Sequence, residues 1–262
     1  MNGRHIGQLE KSKQGALRFT YAKHWIDTEG ARPISLSLPL TSKTFSGDLV
    51  YNFFDNLLPD NIQIRASIQA KFQVASNHPF DLLAKIGKDC VGAIQVIQGD
   101  EYYFNRSIQG KVLSEKEVGS ILQGYKDHPL GMSDDFDGFR ISIAGVQEKT
   151  AFLYHNKRWK LPLHETPTSH IFKLPIGMIE HQQIDLSDYC ENEWLCAQIA
   201  KAYNLKVANC SIEYFDGQKV LVVERFDRKF ASDKSWIVRL PQEDLCQALG
   251  YSSNLKYQAD GG

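Results

Sequence analysis

The chain has 262 residues, with 30 Lys and Arg against 31 Asp and Glu, for a net charge of −1. That balance gives no global pull toward nucleic acid or anionic lipid. An apolar fraction of 42% with 23% charged residues excludes a disordered or low-complexity chain.

The length fits one large domain or two small ones. No apolar run approaches the roughly 18 residues of a membrane span. The start, Met1-Asn2-Gly3-Arg4-His5, lacks the apolar stretch of a signal peptide. Five cysteines, at 90, 190, 196, 210 and 246, form no C-x-x-C pair. This pattern fits reduced thiols in a cytoplasmic protein and predicts no structural metal.

In chain order, residues 1–110 read as mixed α/β. Residues 31–40 (ARPISLSLPL) alternate and carry two prolines, which predicts an edge strand or extended segment. Residues 50–58 are amphipathic at helical spacing and stop at Pro59; a second helix is predicted over 62–72. A third opens with Pro79 and closes near Gly87, and 91–97 reads as a strand. A polar, turn-rich stretch follows from Gly99. Ser114 and Glu117 have capping-box spacing and open a helix to about Leu122. An acidic loop at 133–138 places the domain boundary within about 100–136.

After Gly138 the pattern becomes sheet-like. Strands are predicted at 139–143, 150–154, 159–161 and 171–174, the last ended by Pro175. Asp185 is the expected cap of a helix running to about Tyr203. Two more strands, 208–214 and 220–224, flank Asp216-Gly217, a hairpin signal.

Four features invite chemistry, and each also has a plainer reading. Ala144 and Gly145, in the run Ser142-Ile143-Ala144-Gly145-Val146-Gln147-Glu148-Lys149, let backbone N–H groups approach a phosphate; the same residues make an ordinary hairpin turn. Lys173 sits in an apolar strand and shares a face with Ile171. It needs an acidic partner there, or else it snorkels from an edge strand. Glu193 falls within a helical stripe of Tyr189, Cys196, Ala200 and Tyr203. A carboxylate on such a face needs a cation, unless a local tilt exposes it. The apolar strand 220–223 runs into Glu224-Arg225-Phe226-Asp227-Arg228, which is either a nucleotide-reading hinge or a solvated charged surface. Loop, strand lysine, helix glutamate and hinge stand in the order used by protein kinases.

At these residues the sequence resembles the HipA family of bacterial toxin–antitoxin Ser/Thr kinases. The resemblance rests on residues 139–150 (FRISIAGVQEKT), 170–175 (HIFKLP), 224–228 (ERFDR) and 240–247 (LPQEDLCQ), joined in the first half by 31–40 and by 52–60 (NFFDNLLPD). It implies an α+β fold. Residues 1–110 would be the N-terminal subdomain, 111–138 a linker helix and acidic loop, and 139–228 the small lobe of a PI3K-like kinase. Residues 229–262 would start a truncated large lobe.

It further implies ATP with Mg²⁺ as cofactors. Ala144, Gly145, Val146, Gln147 and Lys149 would lie over the phosphates, Lys173 would contact them and Glu193 would position Lys173. Glu224, Arg225 and Phe226 would hold adenine. Ser142 matches the family's autophosphorylated serine, where added negative charge would repel ATP and inhibit the kinase. The implied partners are a HipB-type helix-turn-helix antitoxin, DNA only through that antitoxin, and a translation protein such as glutamate–tRNA ligase as substrate. The family's catalytic and metal-binding carboxylates lie in its large lobe. The chain ends before such a block, so catalysis by this chain alone is not expected. The alternative is a non-catalytic module that binds the antitoxin or a related kinase.

Overall fold

The structure is a computed structural model and describes residues 1–99, 104, 106–127, 149–179 and 183–257. Its elements in chain order begin with β1 (Gly7–Lys11), β2 (Leu17–Tyr21), α1 (Lys23–Ile26), β3 (Phe45–Ser46), α2 (Asp48–Asp55), α3 (Ile62–Lys71) and α4 (Pro79–Ile86). They continue with β4 (Gly110–Val112), α5 (Glu115–Asp127), β5 (Lys149–His155), β6 (Arg158–Pro162), β7 (His170–Lys173), β8 (Gly177–Ile179) and β9 (Ile184–Leu186). The last are α6 (Tyr189–Ala202), β10 (Cys210–Phe215), β11 (Gln218–Glu224), β12 (Arg228–Phe230), β13 (Ile237–Arg239) and α7 (Leu245–Leu249). The architecture is mixed α and β. No helix among the described residues is long and apolar enough to cross a membrane.

The chain divides into two compact units: the described residues of Met1–Arg106 with Val238–Gly262, and those of Ser107–Phe139 with Gln147–Ile237. The first contains a hairpin absent from the sequence reading. β1 and β2 pair antiparallel from Gly7↔Tyr21 to Lys11↔Leu17, and β3 adds at the β2 edge. Leu17, Phe19 and Tyr21 point into the core while Arg18 is exposed, the alternation of a half-buried strand.

Residues 31–40 form no strand, contrary to expectation. Ile34 and Leu38 are buried, and the Tyr21 hydroxyl bridges them: it accepts from the Ile34 N–H at 2.8 Å and donates to the Leu38 carbonyl at 2.5 Å. A side chain thus takes the place of a neighbouring strand. Residues 91–97 form no strand either; the Val96 N–H donates to the Gly87 carbonyl.

The closing segment joins the first unit from Val238 on. Helix α7 begins with a capping box between Asp244 and Gln247. Polar side chains stitch this segment to α2 and its C-terminal end. Gln247 donates to the Phe53 carbonyl, Asn52 to that of Gly250 and Asn56 to that of Tyr251. Ser253 donates to Asp55, whose carboxylate also takes Arg65 at 2.5 Å.

The second unit is a six-stranded sheet in the order β10-β11-β7-β5-β6-β4, with every described pair antiparallel. One face is covered by α5, which is capped as its spacing predicts. The Ser114 hydroxyl accepts from the Glu117 N–H, and the Glu117 carboxylate accepts from the Ser114 N–H. Val118, Ile121 and Leu122 of α5 pack with Phe152, Phe172 and Val222 from three adjacent strands. Asp216 and Gly217 both have positive φ, 47° and 78°, as a two-residue hairpin turn requires.

Asp185 does not cap a helix. It lies in β9, and its carboxylate accepts from the N–H and hydroxyl of Ser187. Helix α6 starts at Tyr189, with Asp188 as an N-cap that makes no side-chain bond.

Gly119 of α5 sits where the helix crosses the β10–β11 turn. A Cβ there would stand 2.5 Å from the Asp216 Cβ and 2.7 Å from the Phe215 carbonyl oxygen. Gly119→Ala is expected to lower the urea midpoint, with a loss of about 1–3 kcal/mol from overpacking that exceeds the gain of about 1 kcal/mol in helix propensity. An unchanged or raised midpoint would contradict this close approach.

His170 of β7 packs edge-on against Trp159 at 5.1 Å and Tyr154 at 5.8 Å. Burial pushes its imidazole below the ordinary 6.5, opposed by Glu224 across the strand pair. His78 and His155 are lowered by burial as well. The unfolded chain therefore takes up protons near pH 6.5 that the folded chain refuses. The stability these groups confer is complete above 6.5 and falls as pH drops below it. The melting temperature should decline on acidification below 6.5, and His170→Phe should flatten part of that decline. Parallel profiles for the parent and His170→Phe would contradict it.

Candidate functional site

Three of the predicted site residues, Lys149, Lys173 and Glu193, meet on the face of the sheet opposite α5. Phe152, Phe172 and Val222 turn toward α5, so alternation turns their neighbours the other way. Register then builds two rows. Lys173 lies directly opposite Lys149 of β5 on one side and Leu221 of β11 on the other. Two residues along, Ile171 lies between Ala151 and Val223. Ile212 and Cys210 of β10 extend the rows beside Leu221 and Val223. The result is a cationic row about 7 Å from an apolar one.

Lys173 is in an interior strand, which removes the reading of a lysine snorkelling from an edge. Two lysines directly opposite each other repel. Glu193 on α6 meets Lys173, whose Nζ donates to Glu193 Oε1. Their side chains are 22% and 29% exposed, so the pair is sheltered yet reachable. The other Glu193 oxygen is buried with no hydrogen-bond partner among the described residues.

The stripe that pointed to Glu193 is not the one the helix buries: Cys196 and Tyr203 are exposed. The inward residue is Cys190, whose thiol lies 3.6 Å from the Lys173 carbonyl oxygen, and Glu193 follows it by three positions. α6 lies on the lysine face, and Cys190 and Glu193 fix its N-terminal two turns there.

After β11 the three hinge candidates separate. The Glu224 N–H donates to the Asn209 carbonyl at 2.8 Å, and the Asn209 amide returns a bond to the Glu224 carboxylate at 2.9 Å. The Arg225 N–H donates to the Ser169 carbonyl at 2.9 Å. Its guanidinium is buried and grips Asp227 through Nε at 3.0 Å and through a terminal nitrogen at 2.8 Å, while its third nitrogen donates to Thr168. Arg228 also donates to the Asp227 carboxylate. Arg225 is thus a brace between the β7 approach and the end of β11, and its side chain is committed to protein partners. Phe226 is 68% exposed in a turn closed by the Arg228 N–H and the Arg225 carbonyl.

The Thr168–Arg225–Asp227–Arg228 network was missed in the sequence. The signal was present as arginine and aspartate two apart, but charge alternation reads equally as a solvated surface. A second ion pair was also missed: Lys219 Nζ of β11 lies 2.6 Å from Glu191 Oε1 of α6. Ser142 and residues 144–147 lie outside the described residues. Among the described residues, no group of three or more His, Cys, Asp and Glu side chains comes together as metal ligands.

An apolar strip beside half-buried ammonium groups suits an amphipathic anion with a flat apolar end and a charged end. A nucleoside triphosphate has that shape. The residues present therefore fit ATP by their chemistry.

Comparison with known proteins agrees with this order of parts. The family model for the HipA N-terminal domain matches residues 1–97, and that for the HipA-like C-terminal domain matches residues 141–262. The chain is 33% identical over its full length to a putative kinase, Y4mE, of Sinorhizobium fredii. Over 92% of its length it is 30% identical to the serine/threonine-protein kinase toxin HipA of Shewanella oneidensis. It spans 60% and 52% of those two relatives. Among solved structures it is similar to the Shewanella oneidensis HipA, HipB and operator DNA complex. There the TM-score is 0.76 at 27% identity, covering all of this chain and 58% of that one. With both HipA domain models matched in order and a HipA fold along its whole length, the chain belongs to the HipA family.

Proposed function

We propose that the second unit is the nucleotide-gripping lobe of a HipA-type Ser/Thr protein kinase toxin, PI3K-like in its small-lobe fold, and that it binds ATP on the lysine face. The observation that carries this reading is the Lys173–Glu193 ion pair, set one row away from Ala151, Ile171 and Val223. In this reading Lys173 and Lys149 take the phosphate charge and the apolar row receives the purine. The backbone near Glu224 and Phe226 meets the adenine edge. Arg225 acts one step removed, by fixing that backbone through Asp227 and Thr168. Residues 144–147 would close over the phosphates.

Glu193 has a defined electrostatic task. Without it, two adjacent ammonium groups would repel and turn away from each other. With it, Lys173 is held in one rotamer and its own charge is offset by the Glu193 carboxylate. The site then attracts phosphate without needing an anion to stay folded. Bound ATP with Mg²⁺ would supply the transferable phosphoryl group; the residues described here bind and orient it.

Regulation and partners follow the same chemistry. A phosphate on Ser142 would bring about −1.5 to −2 charges to the loop before Lys149 and compete with ATP for the lysines. The solved Shewanella relative is in complex with HipB and operator DNA. A helix-turn-helix antitoxin is accordingly the proposed partner, with DNA contacted through it. A translation protein such as glutamate–tRNA ligase is the proposed substrate class of the kinase.

The test is titration of the full chain with ATPγS by calorimetry. Lys173→Met should weaken binding by about tenfold to a hundredfold, the worth of one charge-assisted bond. Circular dichroism checks that the variant is folded. No measurable ATPγS binding by the parent, or equal binding by Lys173→Met, would contradict the proposal.

A further inference from the structure

Helix α6 is held to the sheet in an unusual way. Cys190 is its one buried residue, and Leu195, Ile199 and Tyr203 are all exposed. Beyond Cys190, Ala197 and Ala200 are only partly buried, so small side chains supply little apolar hold along the rest of the helix. A helix held so weakly can roll about its own axis. The two ion pairs within its first two turns prevent that.

At 100° per residue, Glu191 projects about +100° from Cys190 and Glu193 about −60°. The carboxylates therefore straddle the contact point. Their partners straddle it as well. Lys219 lies two residues before Leu221 on β11, and Leu221 is directly opposite Lys173. The lysines are thus diagonal neighbours on one face, about 7–8 Å apart. Rolling the helix one way stretches Lys219–Glu191; rolling it the other way stretches Lys173–Glu193. Mutual hydrogen bonding holds Glu191 below the ordinary carboxylate range and Lys219 above the ordinary lysine range.

We infer that Lys219 and Glu191 are positioning residues for the nucleotide site: their ion pair sets the rotation of α6 about Cys190 and so delivers the Glu193 carboxylate to Lys173. This rests on the nucleotide-binding reading for its functional consequence, while the clamp itself is a property of the fold. Lys219 flanks the lysine row, but its ammonium is engaged by Glu191 and the Ser187 carbonyl, so both residues act through Glu193.

Two readouts on the full chain test it. The first is the rate at which Cys190 is alkylated by iodoacetamide, followed by peptide mass spectrometry. Its thiol is sealed under the first turn of α6, so rolling exposes it. Cys90, buried in the first unit, reports opening of that unit, and the circular dichroism melt of each variant reports unfolding of the second. Lys219→Met and Glu191→Gln should speed Cys190 labelling by about fivefold or more with Cys90 unchanged. The exchanged pair, Glu191→Lys with Lys219→Glu, should restore protection.

The second readout is ATPγS affinity. Lys219→Met should weaken it by about threefold, the scale of a partly exposed ion pair, and should add nothing in a Lys173→Met background. Unchanged Cys190 labelling in Lys219→Met overturns the clamp. Faster labelling with unchanged affinity overturns its link to the ligand. If the parent binds no ATPγS, the nucleotide reading fails, and Cys190 labelling alone decides the clamp.

Discussion

An ammonium group sheltered in the middle of an apolar sheet is costly unless a carboxylate meets it. In the second unit that demand ties two elements together. Lys173 comes from β7, bounded by strands on both sides, and Glu193 comes from the second turn of α6. The strand cannot shift because its register is shared with β5 and β11. The helix is the movable partner, and its position decides whether the lysine is answered. Everything proposed for the face follows from that asymmetry: a rigid row of cations, an apolar row beside it, and one helix whose carboxylate tunes the charge.

The surrounding braces reinforce the rigid side. Arg225 and Asp227, with Thr168 and Arg228, fix the chain at the end of β11 where a purine edge would be read. A buried fork-to-carboxylate pair of this kind gives a defined geometry more than it gives net stability. On the other face, the edge-on aromatic contacts of Phe172 with Phe152 and Trp159 make the floor of the site continuous with the core under α5. The first unit uses a different device. Its closing segment is held by side-chain amides and hydroxyls that reach backbone carbonyls nearly 200 residues away in sequence.

Local signals were legible wherever the chain supplies its own partner within a few residues. Pro79 and Gly87 bound α4, Ser114 and Glu117 close their box, and Asp216-Gly217 turns its hairpin. The strand alternation that put Lys173 and Ile171 on one face was also readable; Glu193 was reached through a helical stripe whose Cys196 and Tyr203 are exposed. What failed depended on distant partners. The runs at 31–40 and 91–97 look like strands by period, but their neighbours are a tyrosine hydroxyl and a single carbonyl. β1 carries one strong apolar residue, Leu9, so its pairing with β2 left little trace in the pattern. Asp185 and Asp188 are equally plausible caps by type; only the β8–β9 pairing decides between them. Lys219 and Glu191 were invisible because nothing local distinguishes a paired surface charge from a solvated one.

The most direct test of the central claim is a crystal structure of the full chain with a non-hydrolysable ATP analogue. The account predicts phosphate oxygens within hydrogen-bond distance of Lys173 and Lys149, the purine over Ala151, Ile171 and Val223, and Glu193 still paired with Lys173. An analogue seated elsewhere, or bound to a chain in which Lys173 and Glu193 have parted, would contradict it.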